Sequence, residues 1–244
     1  MKLKNALVIG ASGGIGAELI KQLYASSEFE HVHGVSRQSL LSEQEGIAYH
    51  QVDSSDEKQI MQVCEQLKQH GNFSLVVCCV GALHGSQNEV DLHPEKRLED
   101  ISAEQLLSYF KTNSIAPMLW LKHLLPLVKA DDKAQIVLLT ARVASIADNR
   151  LGGWYGYRAS KAALNMLIKT AQVEYQRRAK NVELISYHPG TVDTELSKPF
   201  QGNVAQDKLF TSEFTVRKLL SHLTSLDLEA APHYIDWDNK TIAW

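Results

Sequence analysis

A chain of 244 residues is long enough to bury the core of one large α/β domain. With 44% hydrophobic and 22% charged residues, it has the composition of a soluble globular protein. The formal net charge of −3 gives no electrostatic reason to expect nucleic acid or an anionic membrane as partner.

Short apolar runs alternate with longer amphipathic ones along the chain. Residues 3–9 read as a buried strand and residues 15–24 as the helix that follows it. Lys2 and Lys4 precede the apolar run from Ala6 to Ile9, but that run ends at once in glycines, so no export signal is expected. Residues 32–35 and 47–52 are predicted strands. His31 and His33 alternate there without acidic or thiol companions, and no metal site is expected. Residues 57–67 have helical spacing in Ile60, Val63, Cys64 and Leu67. Residues 75–80 are predicted as a strand within the longest apolar stretch, Leu75 to Leu83, which is far short of a membrane span. A helix over 103–125, a strand over 135–140, a helix over 155–177 and a strand over 182–187 complete the series.

Strands without polar alternation, separated by helices, predict a parallel sheet covered on both faces. Right-handed crossovers make this a Rossmann-type doubly wound α/β fold, expected as a single domain over residues 1–244, with ligands at the carboxyl ends of the strands. Cys64 and the adjacent Cys78 and Cys79 suit a reducing compartment, so the cytoplasm is the expected location.

Directly after the first strand runs Gly10-Ala11-Ser12-Gly13-Gly14-Ile15-Gly16. A glycine turn that delivers the chain onto a helix N-terminus presents free N–H groups and the positive end of the dipole to a pyrophosphate. Its spacing differs from the common G-x-G-x-x-G fingerprint. After the second strand, Val35-Ser36-Arg37-Gln38 holds no carboxylate for a ribose 2′-hydroxyl, and Arg37 offers a planar cation for a 2′-phosphate. Position and charge favour NADP(H); a solvated surface arginine is the other reading.

Tyr157-Arg158-Ala159-Ser160-Lys161 puts a phenol and an ammonium one helical turn apart on the same face. A nearby cation is expected to lower the phenol from its ordinary pKa of about 10 toward that of a useful general acid/base. Tyr155 competes, but alanine stands four residues after it. Asn113 is followed four residues later by Pro117, which lacks the N–H that would bond the Asn113 carbonyl. That carbonyl is free for a water or the lysine, or the pair is an ordinary proline kink.

Together these motifs resemble the short-chain dehydrogenase/reductase family, although Ile9 stands where the family usually has threonine. The resemblance implies that Tyr157 is the acid/base, that Lys161 holds the nicotinamide ribose and that Asn113 supports a relay water. It implies cofactor contacts from Gly10, Ser12, Gly13, Gly14, Ile15, Gly16, Ser36, Arg37, Ser54 and Gly81. Asp53 matches the family's adenine-contacting aspartate, or else caps the helix starting near Asp56. The segment Pro189-Gly190-Thr191-Val192-Asp193-Thr194 is similar to the one that lines the nicotinamide, and Val192 and Thr194 are carried over on that basis. The run Gly152-Gly153-Trp154-Tyr155-Gly156-Tyr157 and the ending from Asp236-Trp237 to Trp244 resemble the branch containing the bacterial C-factor and the sniffer-type carbonyl reductases.

Two departures stand out. Cys78-Cys79-Val80-Gly81 replaces the family's Asn-Asn-Ala-Gly and reads as small buried residues with suppressed thiolates. In Thr140-Ala141-Arg142-Val143-Ala144-Ser145, Ala141 occupies the place of the family's catalytic serine. Either Ser145 substitutes for it or the hydroxyl is simply absent.

The implied function is an NADP(H)-dependent carbonyl reductase or alcohol dehydrogenase for a small, partly hydrophobic carbonyl or alcohol. Residues 195–214, with Leu196, Pro199, Phe200, Leu209 and Phe210, are expected to cover the pocket. The alternative is a nucleotide-binding regulatory or cell–cell signalling protein with weak or no catalysis. Met118, Leu119, Trp120, Leu121, Leu124, Leu125, Leu127 and Val128 make one helix apolar beyond a core-facing stripe, which predicts an exposed interface and a homodimer or larger even homo-oligomer.

Overall fold

Apolar runs buried on both sides need cover on both sides, and the chain supplies it by alternating strand and helix. In the computed structural model, which describes residues 4–40, 44–87 and 89–244, the order is β1 (Lys4–Ile9), α1 (Gly14–Ala25), β2 (Phe29–Ser36), β3 (Ile47–Gln51), α2 (Glu57–Leu67) and β4 (Phe73–Cys78). A small hairpin, β5 (Gly85–Gln87) and β6 (Val90–Leu92), leads to α3 (Ala103–Phe110) and α4 (Ala116–Val128). Then come β7 (Ala134–Leu139), α5 (Tyr155–Arg178), β8 (Val182–His188), β9 (Thr191–Val192), β10 (Leu209–Phe210), α6 (Ser212–Leu223) and β11 (His233–Asp236). Residue 3, the expected start of the first strand, lies outside the described residues.

The central sheet has seven strands in the order β11-β8-β7-β4-β1-β2-β3, every pair parallel. The order reverses at β1 and β4, which opens a crevice at the carboxyl ends of those strands. Alternate residues feed two cores. Leu7, Ile9, Val76, Ile136, Leu138 and Leu184 pack under α2, α4 and α5; Ala6, Val8, Val77, Val137, Ile185 and Tyr187 pack under α1 and α6. The doubly wound parallel architecture expected from the sequence is the one observed, with β11 and α6 as additions to it.

The helix predicted over 103–125 is interrupted. A π-helical turn, Lys111–Ile115, joins α3 to α4, and the Ala116 N–H bonds the carbonyl of Lys111, five residues back. Pro117 at the start of α4 has no N–H for the ordinary ladder, so the widened turn absorbs the mismatch. The expected exposed face of α4 is not there. Trp120, Leu121, Leu124, Leu127 and Val128 are buried, and Met118, Leu119 and Leu125 pack on the same core. The exposed large side chains lie elsewhere, including Met166 (64%) and Val173 (54%) on α5. Among the described residues no helix is long and apolar enough to cross a membrane, and no group of three or more His, Cys, Asp or Glu is placed to hold a metal ion.

One edge of the sheet carries a cluster of histidines. His33 on β2 is 1% exposed, its Nδ1 lies 3.0 Å from His50 Nε2 on β3, and its ring centroid is 4.5 Å from that of His70. Burial first, then the imidazoles of His70, His50 and His31, pushes His33 down from 6.5 to about 3. The unfolded chain therefore takes up a proton that the folded chain refuses as pH falls below about 6.5, and stability drops across that window. Between pH 7.5 and pH 5.0 the loss from this residue should be about 2 kcal/mol. Urea unfolding at the two pH values measures it, and His33→Leu should flatten the dependence.

Candidate active site

The parallel arrangement brings the ends of β1, β4, β7 and β8 to one edge, where they surround a cavity of about 750 Å³. The glycine turn after β1 contributes residues 12–16 to its lining. Gly10 has φ +87°, and its N–H and that of Ala11 donate to the Val35 carbonyl at 2.9 and 2.8 Å, tying the turn to β2. A Cβ on Gly16 would lie 2.2 Å from the Gly10 carbonyl oxygen. Helix α1 starts at once from Gly13, which offers no side-chain cap. Its first-turn amides are thus left for a ligand, and the cradle is shaped for the pyrophosphate of a dinucleotide.

Opposite this turn, α5 delivers Tyr157 and Lys161 to the cavity. The start of α5 is held by a residue absent from the sequence-level reading: the buried Glu95 carboxylate accepts from the Gly156 N–H at 3.1 Å. Tyr157 is 7% exposed and packs edge-on against Tyr109 and Trp154. Lys161 is 3% exposed and its Nζ donates to the Leu139 carbonyl at 2.8 Å. Burial pushes the Tyr157 phenol above its ordinary value, with Tyr234 adding to the rise. Burial thus works against the lowering by the lysine that the sequence leads one to expect. Burial also pulls Lys161 down to about 8, against the opposing influence of Cys78 and Cys79.

Asn113 sits in the π-helical turn and is fully buried. Its Oδ1 accepts from the Ala82 N–H at 2.8 Å, and its Nδ2 donates to the Ala82 carbonyl at 2.9 Å and to Ser160 Oγ at 3.1 Å. Gly81 is pressed close to this pair: a Cβ there would lie 3.0 Å from Lys161 Nζ and 3.4 Å from Asn113 Oδ1. The residues before it are inert. Burial raises Cys78 to about 11 and Cys79 further still.

Pro189, Gly190, Val192 and Thr194 also line the cavity, as does Ala141 at the end of β7. Ser145 is not brought to it. The residue is 1% exposed and its Oγ accepts from the Asp148 N–H at 3.1 Å, so it closes the turn beyond Ala141 and is not part of the cavity lining. Ala141 carries its own anchor, a hydrogen bond of 2.7 Å from the Tyr234 hydroxyl to its carbonyl.

Ser36, Arg37, Asp53 and Ser54 stand at the ends of β2 and β3, outside the cavity lining. Ser36 Oγ accepts from the Gln38 N–H at 3.0 Å, and Ser54 Oγ from the Trp120 indole at 3.1 Å. The cap of α2 is Asp56, which accepts from Lys58 and Gln59; Asp53 instead accepts from the Ser55 N–H at 2.8 Å. Partial burial pushes the Asp53 carboxyl up, but Ser55, Arg37 and Lys111 together hold it below the usual range. In the covering segment Leu196 and Phe200 face the cavity. Phe210 does not; it packs against Trp237 and Phe214, with centroids 4.5 and 4.9 Å away.

Arg142, Val143, Trp154 and His188 also line the cavity and are among the lining residues that the sequence does not single out as site residues. Arg142 reaches Asp236 on β11 at 2.6 Å and Asp148 at 3.3 Å. His188 has a visible signal, its place directly before Pro189-Gly190; Arg142 has none, because its closer partner, Asp236, comes from the far end of the chain.

A family model described as short chain dehydrogenase matches residues 4–204. The chain belongs to that family. Its relatives include the C-signal of Myxococcus xanthus, 26% identical over 147 residues that make up 60% of this chain and 83% of that protein. They also include a benzil reductase ((S)-benzoin forming) of Saccharomyces cerevisiae, 28% identical over 209 residues, 80% of this chain and 74% of that protein. Among solved structures, the carbonyl reductase Sniffer of D. melanogaster superposes with a TM-score of 0.84 at 19% identity, covering 99% of this chain and all of that one. The family membership makes this short-chain dehydrogenase an oxidoreductase by fold and motif.

Proposed function

We propose that this short-chain dehydrogenase is a cytoplasmic, NADP(H)-dependent carbonyl reductase or alcohol dehydrogenase for a small, partly hydrophobic substrate. The observation that carries the reading is the placement of the buried Tyr157 and Lys161 in one cavity facing the glycine turn. When bound, the nicotinamide cofactor supplies or accepts the hydride at the substrate's carbonyl carbon. The amides of residues 13–16 bind its pyrophosphate, and Arg37, with Ser36, takes the 2′-phosphate. Asp53 and Ser54 border the adenine, while Gly10, Ser12, Gly81, Pro189, Gly190, Val192 and Thr194 shape the rest of its path.

Tyr157 gives its proton to the substrate oxygen in reduction and takes it back in oxidation. A phenol raised by burial holds its proton until negative charge develops on that oxygen. Lys161, cationic below about pH 8, stabilises the phenolate left behind and orients the ribose. Asn113 holds the two in place from the neighbouring helix. Apolar and aromatic side chains at Trp154, Leu196 and Phe200 favour a substrate with an apolar body, which agrees with the aromatic diketone named for the yeast relative.

Ala141, with the likeness to the C-signal, supports a second reading, a nucleotide-binding signalling protein with slow chemistry. Consumption of NADPH with a panel of ketones, aldehydes and quinones separates the two. Under the enzymatic reading, Tyr157→Phe lowers turnover on an accepted substrate by about 100-fold or more; unchanged turnover would remove the assignment.

NADPH should bind tighter than NADH by about 10- to 100-fold, the worth of charge-assisted hydrogen bonds to one phosphate. Arg37→Asp should reverse that order. Titration of both nucleotides against the two proteins measures this, and equal affinities in the native protein would defeat the NADP(H) preference.

We also propose a homodimer or larger even assembly, now through the exposed apolar side chains of α5. Light scattering at micromolar concentration should give at least twice the mass of 27.2 kDa, and Met166→Asp with Val173→Asp should return it to a monomer.

A further inference from the structure

The cavity lacks a hydroxyl where Ala141 stands, yet it contains a polar side chain with no evident task. His188 is the last residue of β8 and lines the same cavity as Tyr157 and Ala141. The register between β7 and β8 pairs Leu139 with Tyr187, and the Thr140 N–H bonds the Tyr187 carbonyl at 2.8 Å. His188 therefore stands beside Thr140, one residue before Ala141. Its side chain points the right way for the chemistry. Tyr187 joins the core under α1 and α6, whereas Leu184 joins the core under α5. By strand alternation His188 shares the face of Leu184, which is the face where α5 carries Tyr157 and Lys161.

The ring is also unengaged. Its Nδ1 is buried with no hydrogen-bond partner. The charged neighbours are accounted for: the Arg142 guanidinium pairs with Asp236 and Asp148, and Lys161 donates to Leu139. Thr140, directly after β7, has a buried hydroxyl that likewise lacks a partner, but its short side chain is 4% exposed.

We propose that His188 supplies the hydrogen bond to the substrate oxygen that the missing serine hydroxyl would otherwise make. The inference rests on the oxidoreductase reading of the same cavity. Burial, aided by Arg142 and opposed by Asp236, pulls the imidazole down to about 4, so it is neutral at pH 7 and carries one ring N–H. A neutral imidazole donates without surrendering its proton. The proton that ends on the substrate oxygen comes from Tyr157, and solvent returns it to the phenolate. His188 is unchanged over the cycle; it stabilises the negative charge that develops on oxygen before Tyr157 has delivered its proton.

Two measurements test this. In the first, turnover is compared among His188→Phe, His188→Gln, Ala141→Ser and the double variant His188→Phe/Ala141→Ser. Loss of the donor in His188→Phe should lower kcat about 100-fold, in the range for removal of one oxyanion donor. Gln, which keeps an N–H, should stay within about tenfold of the native protein. Ala141→Ser should raise His188→Phe by about tenfold or more, a larger factor than its effect on the native protein, because a second donor matters most when the first is gone. Native turnover in His188→Phe, or an equal gain from Ala141→Ser in both backgrounds, would overturn the proposal.

The second measurement needs no turnover. With NADPH bound, N-methylpyrrolidone, a carbonyl that is not reduced, is titrated in while the His188 ring N–H is followed by NMR. A downfield shift in the native protein, absent for the other histidines, is expected. Lactam binding that leaves His188 unmoved would refute the hydrogen bond. Lactam that fails to bind at all, together with no reduction of any carbonyl, would instead remove the oxidoreductase reading, and the role of His188 with it.

Discussion

The carboxamide of Asn113 joins three segments that no backbone ladder connects, and the geometry of the cavity follows from that junction. It pairs both ways with Ala82 after β4 and donates to Ser160 on α5. Ser160 Oγ in turn donates to the Tyr157 carbonyl at 2.9 Å, and Ser114 Oγ to the Ser160 carbonyl at 2.6 Å. The first two turns of α5, with both reactive side chains, are thereby docked onto the strand ends. Asn113 is fully buried, so truncating it would orphan an N–H and a carbonyl on Ala82, at about 1–3 kcal/mol each. The π-helical turn makes the junction feasible. It shifts the register of the long helix so that Asn113 and Ser114 both face inward, and Pro117 ensures that the ordinary ladder cannot compete there.

Dryness sets the electrostatics of the site. Burial drives Tyr157 up, Lys161 down to about 8 and His188 down to about 4. These shifts share a direction: each favours the neutral form of its group. The result at neutral pH is a phenol that retains its proton, an imidazole that retains a single N–H, and an ammonium that stays charged but loosely so. The same burial raises the Cys78 and Cys79 thiols and keeps them protonated. Ala141 adds to the apolar side of the lining, with Val143, Trp154 and Phe200 in the same cavity.

Much of this was legible beforehand, and the gaps have physical causes. Strand and helix positions followed from periodicity because each element buries a continuous face of its own chain. β11 escaped because four residues containing His233 and Asp236 become a strand only by pairing with β8. α6 had local signals, a Thr211 cap bonding the Phe214 N–H and buried Val216, Leu219 and Leu223, but it adjoins a segment read as cover. The apolar excess on α4 suggests an interface when only the sequence is considered; it is spent on a core that wraps further round the helix than a single stripe. Ser145 was placed by its distance from Ala141 along the chain, and the short helical turn between them rotates it away from the cavity.

Sequence alone determined the parallel α/β fold, the glycine turn and the Tyr157–Lys161 pair, because each depends on residues close together in the chain. A turn conformation, a helical face and a strand are local matters, and residue type at short spacing decides them. Tertiary structure decided the rest: that burial raises the phenol despite its lysine, that Arg142 is claimed by Asp236, that Asn113 clamps Ala82, and that His188 stands beside the gap at Ala141. Desolvation, ion pairing and strand register all depend on what distant segments bring to the same place, and no spacing along the chain records that.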